Sequence, residues 1–287
     1  MRRQSEAAAA LWIGSSTANQ LGTEGTSKAP SLPAHAKLIM TFDPVIQRFD
    51  SIDSTNLEAM RQAKAGAPEG LCIVARTQTR GRGRLDRSWQ SPTDAGLYMS
   101  LLLRPKFAVQ AWPLITLMAA IAVRDTLFKT CGFSADIKWP NDLCVNNKKL
   151  CGILAETLET SAVVIGIGIN LTAEIVPLVS AEATSIESVT GDQPDREQIL
   201  DGLLKSIAGK YELLDNAEGR EHILREWCAQ SSYAIGRQVR VSLGEESFEG
   251  TTRGLESDGA LRVETSDGKM RVVRAGDVTA LRSSVSR

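Results

Sequence analysis

The sequence predicts an α/β fold, of the α+β kind with a mixed sheet, followed by a small all-β barrel. From residue 37 onward, short apolar runs that suit buried strands alternate with segments of helical periodicity. After Tyr233 the periodicity changes, and short alternating segments follow that are separated by Gly-containing turns. We therefore place the domains at residues 37–232 and 233–287, with residues 1–36 as a flexible N-terminal extension.

The first elements are defined by apolar runs and capping residues. Val45–Phe49 is predicted to be a strand, and Thr55 with Glu58 three residues later predicts a capping box for a helix that runs to Gly66. Leu71–Ala75 is the next predicted strand, because it is short and apolar. A polar loop at 77–95 comes after it.

Further apolar runs complete the larger domain. We predict a strand at Leu97–Leu103 and a helix at Leu114–Lys129 that is closed near Gly132. Asn146-Asn147 indicates a turn between two strands. The remaining predicted elements are strands at Leu150–Ala155 and Val163–Leu171, helices at Ile199–Leu214 and Ile223–Trp227, and barrel strands at Gln238–Leu243, Phe248–Thr252, Leu261–Glu264 and Met270–Val273.

Composition excludes several kinds of chemistry. The 33 Lys and Arg against 34 Asp and Glu argue against a dedicated nucleic-acid binder. Only His35 and His222 are present, which disfavours a zinc site or a histidine-based triad. Five cysteines, with no pair two residues apart, fit neither a disulfide framework nor a metal knuckle and indicate the cytoplasm. The longest apolar run, Trp112–Val123, is shorter than a membrane helix requires.

An arginine-glycine segment, Thr79–Trp89, is the sharpest feature of the sequence. Glycines let the backbone approach a ligand closely, and guanidinium groups bind carboxylate and phosphate through paired N–H donors. From composition alone, a loop for a polyanionic small substrate and a solvated or RNA-binding patch are equally supported. Five arginines fall within twelve residues: Arg76, Arg80, Arg82, Arg84 and Arg87.

Two further clusters favour the substrate-binding interpretation. Lys138–Asp142 places a cation, an aromatic ring and polar side chains just after a strand. Strand alternation from Lys149 predicts that Gly152 lies on the opposite face, where a flat ligand could rest on the sheet. Taken alone, Lys149 also suits an ordinary strand-end lysine, and Trp139 suits core packing.

Four motifs in order make the sequence resemble the biotin protein ligases, which attach biotin to lysines of carrier proteins. The resemblance covers about residues 45–280, and Gly166–Asn170 fits the strand that follows the motifs in that family. One departure is Asp86, which stands where the family usually has a glycine. The motifs are Asp53-Ser54-Thr55-Asn56, Gly81-Arg82-Gly83-Arg84 through Trp89, Lys138-Trp139-Pro140-Asn141-Asp142, and Lys149-Leu150 with Gly152-Ile153-Leu154.

The resemblance implies a mixed-sheet catalytic domain of the biotin/lipoate ligase type and a C-terminal barrel. It implies that ATP with Mg²⁺ activates biotin as biotinyl-5′-AMP, which a lysine of a biotin carboxyl carrier protein, from acetyl-CoA carboxylase or related carboxylases, then attacks. Arg84 and Lys149 are the implied catalytic residues, and the metal is carried by ATP without assigned protein ligands. The implied biotin-binding residues are Ser54, Thr55, Asn56, Gln78, Arg82, Gly83, Arg84 and Lys149. The implied nucleotide-binding residues are Gly81, Arg82, Arg84, Trp89, Asn141, Asp142 and Asn170.

Three alternatives are kept open at this point. A lipoate-attaching ligase would share the fold and the adenylate chemistry, but the arginine-glycine loop and the barrel favour biotin. A repressor that uses biotin as a co-signal would need a DNA-binding helix pair in the first 40 residues, where we expect none. A non-catalytic module could use the basic loop to bind RNA or other anions. We expect no DNA or membrane partner, and an exposed strand edge leaves a homodimer open.

Overall fold

The computed structural model describes residues 43–159, 161–176 and 182–281. Two predictions concern residues outside these ranges. They are the flexible N-terminal extension and the expectation that the first 40 residues hold no DNA-binding helix pair. Seven strands form one mixed sheet in the order β1-β2-β3-β7-β6-β5-β4, in which β1 and β2 are parallel and the other neighbours antiparallel. The strands are β1 Val45–Ile52, β2 Leu71–Gln78, β3 Gly96–Leu103, β4 Asp136–Lys138, β5 Asp142–Val145, β6 Lys148–Leu158 and β7 Ala162–Asn170.

Helices cover both faces of this sheet. One face packs against α2, which in turn contacts α4 and α5, while α1 covers part of the other face. Odd-numbered residues of β7 such as Ile165 lie in the large core with α2, and even-numbered residues such as Val164 face α1. The helices are α1 Thr55–Lys64, α2 Pro113–Cys131, α3 Ile186–Thr190, α4 Arg196–Leu213 and α5 Ala217–Gln230.

The C-terminal part is all-β, as the sequence predicts. Its five antiparallel strands have the order β11-β10-β9-β8-β12. No ladder joins β11 to β12 within the residues that the structure describes, so this sheet is open along one side. Its last strand was not predicted, because four residues without a flanking turn motif carry no clear periodicity. The strands are β8 Ile235–Leu243, β9 Glu246–Leu255, β10 Leu261–Thr265, β11 Met270–Val273 and β12 Asp277–Ala280.

The start of α1 differs from the prediction. Ser54, not Thr55, is the N-cap residue, and its side chain makes no capping hydrogen bond. The Thr55 hydroxyl instead donates to Oε1 of Gln78 at 3.1 Å, and Glu58 forms an ion pair with Arg61. The predicted capping box is therefore wrong, because both of its side chains are engaged in other interactions.

The apolar segment that contains helix α2 is longer than the run Trp112–Val123 identified from the sequence. The segment Val109–Cys131 is long and apolar enough to cross a membrane by length and composition, with a mean hydropathy of 1.4. Two thirds of an 18-residue apolar stretch within this segment is buried inside the protein, and Ile121 on α2 has no exposed surface. The helix is apolar on nearly all sides because it lies between the sheet, α4 and α5.

The two sheets are joined by specific contacts. Trp139 is 2% exposed, and its Nε1 donates to the carbonyl of Gly259 in the second sheet at 3.0 Å. Core packing of Trp139 is therefore observed. Helix α5 ends at Gln230 and β8 begins at Ile235. The domain boundary between residues 232 and 233 stays a prediction.

A matched pair of substitutions on α2 tests this account of the core. Ile121→Ala removes a fully buried side chain and should lower the free energy of unfolding by about 2–5 kcal/mol. Phe128→Ala removes a side chain that is 58% exposed, and should change it by no more than about 0.5 kcal/mol. Urea unfolding of both variants measures this, and equal losses would contradict the assignment of α2 as the core helix.

Candidate active site

A cleft with an empty volume of about 760 Å³ opens on the α1 face of the large sheet. The N-terminus of α1, the arginine-glycine segment and the strands β2, β3, β5, β6 and β7 all contribute to its walls. Most of the residues singled out from the sequence line this one cleft. They are Ser54, Thr55, Asn56, Gln78, Arg82, Gly83, Arg84, Trp89, Asn141, Asp142 and Lys149.

Hydroxyl and amide groups form the polar end of the cleft. Oε1 of Gln78 accepts from the Thr55 backbone N–H at 2.8 Å, and its Nε2 donates to Oγ of Ser91 at 2.8 Å. Oδ1 of Asn56 accepts from the Ser100 hydroxyl at 2.5 Å. These partners leave each side-chain amide one favourable orientation, so the donors and acceptors in this part of the cleft are preset.

Asp53 fixes the turn that leads into α1. Its carboxylate accepts from two Arg61 nitrogens at 2.9 and 3.0 Å and from the Ser54 backbone N–H at 2.7 Å. The hydrogen bonds from Arg61 lower the pKa of this carboxyl to about 2. Arg80, at the start of the arginine-glycine segment, lies 3.6 Å from the same carboxylate. The turn and the segment are thus tied to one anion.

The arginine-glycine segment folds as a small hairpin over the cleft. Arg82 forms a β-bridge with Ser88, and the Gly83 N–H donates to the Arg87 carbonyl at 2.7 Å. Leu85 and Asp86 form the tip with φ values of 54° and 57°. This left-handed backbone is strained for residues other than glycine, so the aspartate that departs from the family pattern sits where glycine would be unstrained.

The hairpin rests on the second sheet. Nη1 of Arg84 donates to Oδ1 of Asn141 at 3.0 Å, and both terminal nitrogens lie 3.4 Å from the Gly276 carbonyl. Arg87 forms an ion pair with Asp277. Burial lowers the pKa of the Arg84 guanidinium, because its charge is poorly solvated there.

Carboxylates contact most of the cleft cations. Lys149 Nζ lies 2.7 Å from Oδ1 of Asp142, and Arg82 Nη1 lies 2.9 Å from Oε1 of Glu156. Among the described residues, no carboxylate forms an ion pair with Arg84, whose neighbours are an amide oxygen and a carbonyl. Arg84 is therefore the cleft cation with the least compensated charge. An entering anion can bind it without displacing a carboxylate.

A β-bulge places Lys149 differently from the alternation predicted. Leu143 pairs with Cys151, but Cys144 pairs with Lys149, so Leu150 is an extra residue in β6. The extra residue reverses the faces, and a Cβ on Gly152 would lie 3.3 Å from the Lys149 ammonium. The prediction that Lys149 and Gly152 lie on opposite faces is wrong for this reason. Both face the cleft.

Glycines on the sheet make room for the cleft's largest side chain. The Trp89 indole lies over β6 and β7, where a Cβ would come within 2.8 Å of the ring at Gly152 and 2.5 Å at Gly168. A Cβ at Gly166 would collide with the Asn56 amide. The Lys149 ammonium lies 5.4 Å from the centroid of the indole. The floor of the cleft therefore requires glycine at these positions of β6 and β7.

Two residues singled out from the sequence lie outside the lining. Gly81 is buried beside Trp89, whose backbone N–H donates to the Gly81 carbonyl at 2.9 Å. Asn170 is buried, and its Nδ2 donates to the Thr184 carbonyl at 2.9 Å. Thr184 in turn donates its backbone N–H to the Lys149 carbonyl at 2.9 Å, so Asn170 supports the backbone at Lys149.

Sequence reasoning missed several residues of this site. Glu156 and Asp277 face arginines that are far away in sequence, and no local pattern indicated their partners. The two strand glycines at 166 and 168 did carry a usable pattern, because glycine at alternate positions of an apolar strand marks a face approached closely by other groups.

Comparison with known proteins agrees with this geometry. Residues 48–170 match the model of the Biotin/lipoate A/B protein ligase family, and residues 234–279 match that of the Biotin protein ligase C terminal domain. The chain is 34% identical over 235 residues to the biotin–[acetyl-CoA-carboxylase] ligase of Mycobacterium tuberculosis, covering 80% of this chain and 86% of that protein. The chain belongs to the biotin protein ligase family.

Other members of the family are similarly close. The biotin–[acetyl-CoA-carboxylase] ligase of Paracoccus denitrificans is 34% identical over 237 residues, which cover 79% of this chain and 96% of that protein. The biotin protein ligase from Aquifex aeolicus, solved in complex with biotin and ATP, superimposes with a TM-score of 0.73 at 29% identity. That match covers 84% of this chain and all of the solved one. The family and the fold inferred from the motifs are thus confirmed.

A glycine pair tests the packing of the cleft floor. Gly168→Ala places a methyl group against the Trp89 indole and should lower the free energy of unfolding by about 1–3 kcal/mol. Gly209→Ala, on helix α4, meets open space and should raise it by roughly 0.5–1 kcal/mol. Urea denaturation of both variants gives the two values. An unchanged stability in Gly168→Ala would show that the indole does not need this glycine.

Proposed function

We propose that the protein is a biotin protein ligase that makes biotinyl-5′-AMP from biotin and ATP and transfers the biotinyl group to a lysine of a carrier protein. One observation supports this most directly. Three cations, Arg82, Arg84 and Lys149, converge on a cleft whose polar end carries preset amides and hydroxyls. A ligand with a hydrogen-bonding ring at one end and a carboxylate at the other suits that arrangement.

The first step brings two anions together. An oxygen of the biotin carboxylate attacks the α-phosphorus of ATP, the bond from that phosphorus to the β-phosphate oxygen breaks, and pyrophosphate leaves with the bonding electrons. At about 4 Å in an effective dielectric of about 20, two unit charges repel by roughly 4 kcal/mol. Arg84 and Lys149 can offset this repulsion and stabilise the charge that develops at phosphorus. Mg²⁺ bound to ATP would neutralise further phosphate charge.

The second step forms the amide. The neutral ε-amine of the carrier lysine attacks the acyl carbon of the mixed anhydride, and the bond from that carbon to the phosphate oxygen breaks. AMP leaves with the bonding electrons, and the amine releases one proton to solvent. The hairpin over the cleft can keep water from the anhydride before the carrier arrives. Its ties to Asn141, Gly276 and Asp277 hold it in that position.

The polar end of the cleft supports biotin over lipoate as the substrate. A ureido ring offers N–H donors and a carbonyl acceptor to the groups around Thr55, Asn56 and Gln78. The dithiolane ring of lipoate has neither a comparable donor nor a strong acceptor. The match of residues 234–279 to a biotin protein ligase domain supports the same choice.

The RNA-binding alternative has less support. An RNA-binding surface would present unpaired arginines to solvent, whereas Arg76 pairs with Asp94 and Arg87 with Asp277. Arg84 is turned into the cleft and half-buried. The basic character of the segment is thus largely used within the protein.

Partners and location extend the proposal. We propose the biotin carboxyl carrier domain of acetyl-CoA carboxylase or a related carboxylase as acceptor, supported by the names of the two ligase relatives. We propose a cytoplasmic location, supported by five free cysteines. Burial raises the pKa of the Cys72 thiol to about 12, which keeps it inert. We also propose that the protein acts without binding DNA or a membrane and that an exposed strand edge allows it to form a homodimer.

Exchange of labelled pyrophosphate into ATP tests the activity and the role of Lys149 together. The wild-type protein should support exchange with biotin and not with lipoate. Lys149→Ala should slow it on the order of a hundredfold, the usual effect of losing one charge-stabilising donor. Lys148→Ala removes the exposed neighbouring lysine and is the control, with a near-normal rate expected. A near-normal rate in Lys149→Ala would exclude that residue from catalysis.

Retention of the intermediate tests Arg84. Arg84→Ala should weaken the binding of biotinyl-5′-AMP by about 1.5–3 kcal/mol, because a charged hydrogen bond to the intermediate is lost. The effect is measured by forming the adenylate on the protein and monitoring the rate at which it appears in solution. Dissociation at the wild-type rate would mean that the hairpin does not hold the intermediate through this arginine.

A further inference from the structure

Glu156 connects two parts of the cleft that the sequence treats separately. It lies on β6, on the same face as Gly152, and its two carboxylate oxygens have different partners. Oε2 accepts from Nδ2 of Asn56 at 2.9 Å, and Oε1 lies 2.9 Å from Nη1 of Arg82. One carboxylate thus bridges the polar end of the cleft and the arginine-glycine hairpin.

The contact with Asn56 fixes an amide in a buried position. Asn56 is 4% exposed, and its Nδ2 has two partners, Glu156 and the Leu154 carbonyl at 3.3 Å. Its Oδ1 accepts from Ser100. Loss of the Glu156 acceptor would leave a buried N–H without a good partner and would permit the amide to turn over.

The contact with Arg82 has a different consequence. The Arg82 side chain is 41% exposed, so a ligand can reach it from solvent, but its charge is already paired with Glu156. An anion that binds to Arg82 must displace or share this carboxylate. Arg84 forms no such ion pair within the described residues, so of Arg82 and Arg84 it is Arg82 that must give up a partner when an anion binds.

We propose that Glu156 is a positioning residue that orients Asn56 for the ring of biotin and holds Arg82 until the substrate carboxylate takes its place. This inference rests on the proposed function and deepens it, because it couples recognition of the two ends of one substrate. Glu156 acts through its two neighbours and takes no part in the bond changes.

Two ligands separate the two roles. Biotin carries the carboxylate, and biotinol has the same ring with a neutral alcohol in its place. Glu156→Gln keeps an oxygen for Asn56 but loses the charge that pairs with Arg82. Biotin should therefore bind about threefold more tightly, since the competing partner is gone, while biotinol binds as before. Glu156→Ala also loses the Asn56 contact, and biotinol should bind about tenfold more weakly.

Calorimetric titration of both ligands into the full chain gives the test. The ratio of the biotinol to the biotin dissociation constant should rise about threefold in Glu156→Gln, and not at all when that change is made in an Arg82→Gln background. Glu221→Gln, an exposed glutamate on α5, is the matched control and should change neither constant.

The outcomes are distinguishable. Equal weakening of both ligands in Glu156→Gln, or the same change in the ratio with and without Arg82, would overturn the inference and leave Glu156 a general structural residue. If the wild-type protein binds neither biotin nor biotinol, the proposed function itself fails. Binding of biotin by the wild-type protein with an unchanged ratio in Glu156→Gln would leave the proposed function intact and refute the role of Glu156.

Discussion

Four cations at the mouth of one cleft repel one another, and the rest of the site is arranged so that this repulsion is compensated. Three of the four are held by a carboxylate, and each of those carboxylates comes from a different strand, β5, β6 or β12. Because these strands belong to both sheets, the arrangement of charges depends on the whole fold and not on the hairpin alone. The four cations are Arg82, Arg84, Arg87 and Lys149.

The large sheet accommodates this cluster through two local irregularities. Glycines at 152 and 168 let the Trp89 indole lie directly on the strands, which brings an aromatic face within 5.4 Å of the Lys149 ammonium. The bulge at Leu150 turns Lys149 toward the cleft, although regular alternation would point it away. Strands without these glycines and this bulge would be more stable in themselves, but the lysine and the indole would then not meet.

Much of the fold followed from local sequence patterns, and the failures have physical causes. Apolar runs and the turn at Asn146-Asn147 predicted strands that the structure contains, because burial and turn chemistry act over a few residues. The capping box failed since Thr55 had a competing partner, Gln78, in a distant strand. The motifs predicted most of the cleft lining, whereas Glu156, a partner across about 70 residues of chain, left no local trace.

The second sheet is part of the site and not an appendage to it. Its last strand, β12, is the one that the sequence did not predict. It begins at Asp277, which pairs with Arg87, and follows Gly276, whose carbonyl faces Arg84. The hairpin tip is strained at Leu85 and Asp86, so it does not hold its shape by backbone preference alone. Contacts from the second sheet offset that strain. The position of the hairpin over the cleft therefore depends on the junction between the two sheets as well as on the hairpin's own sequence.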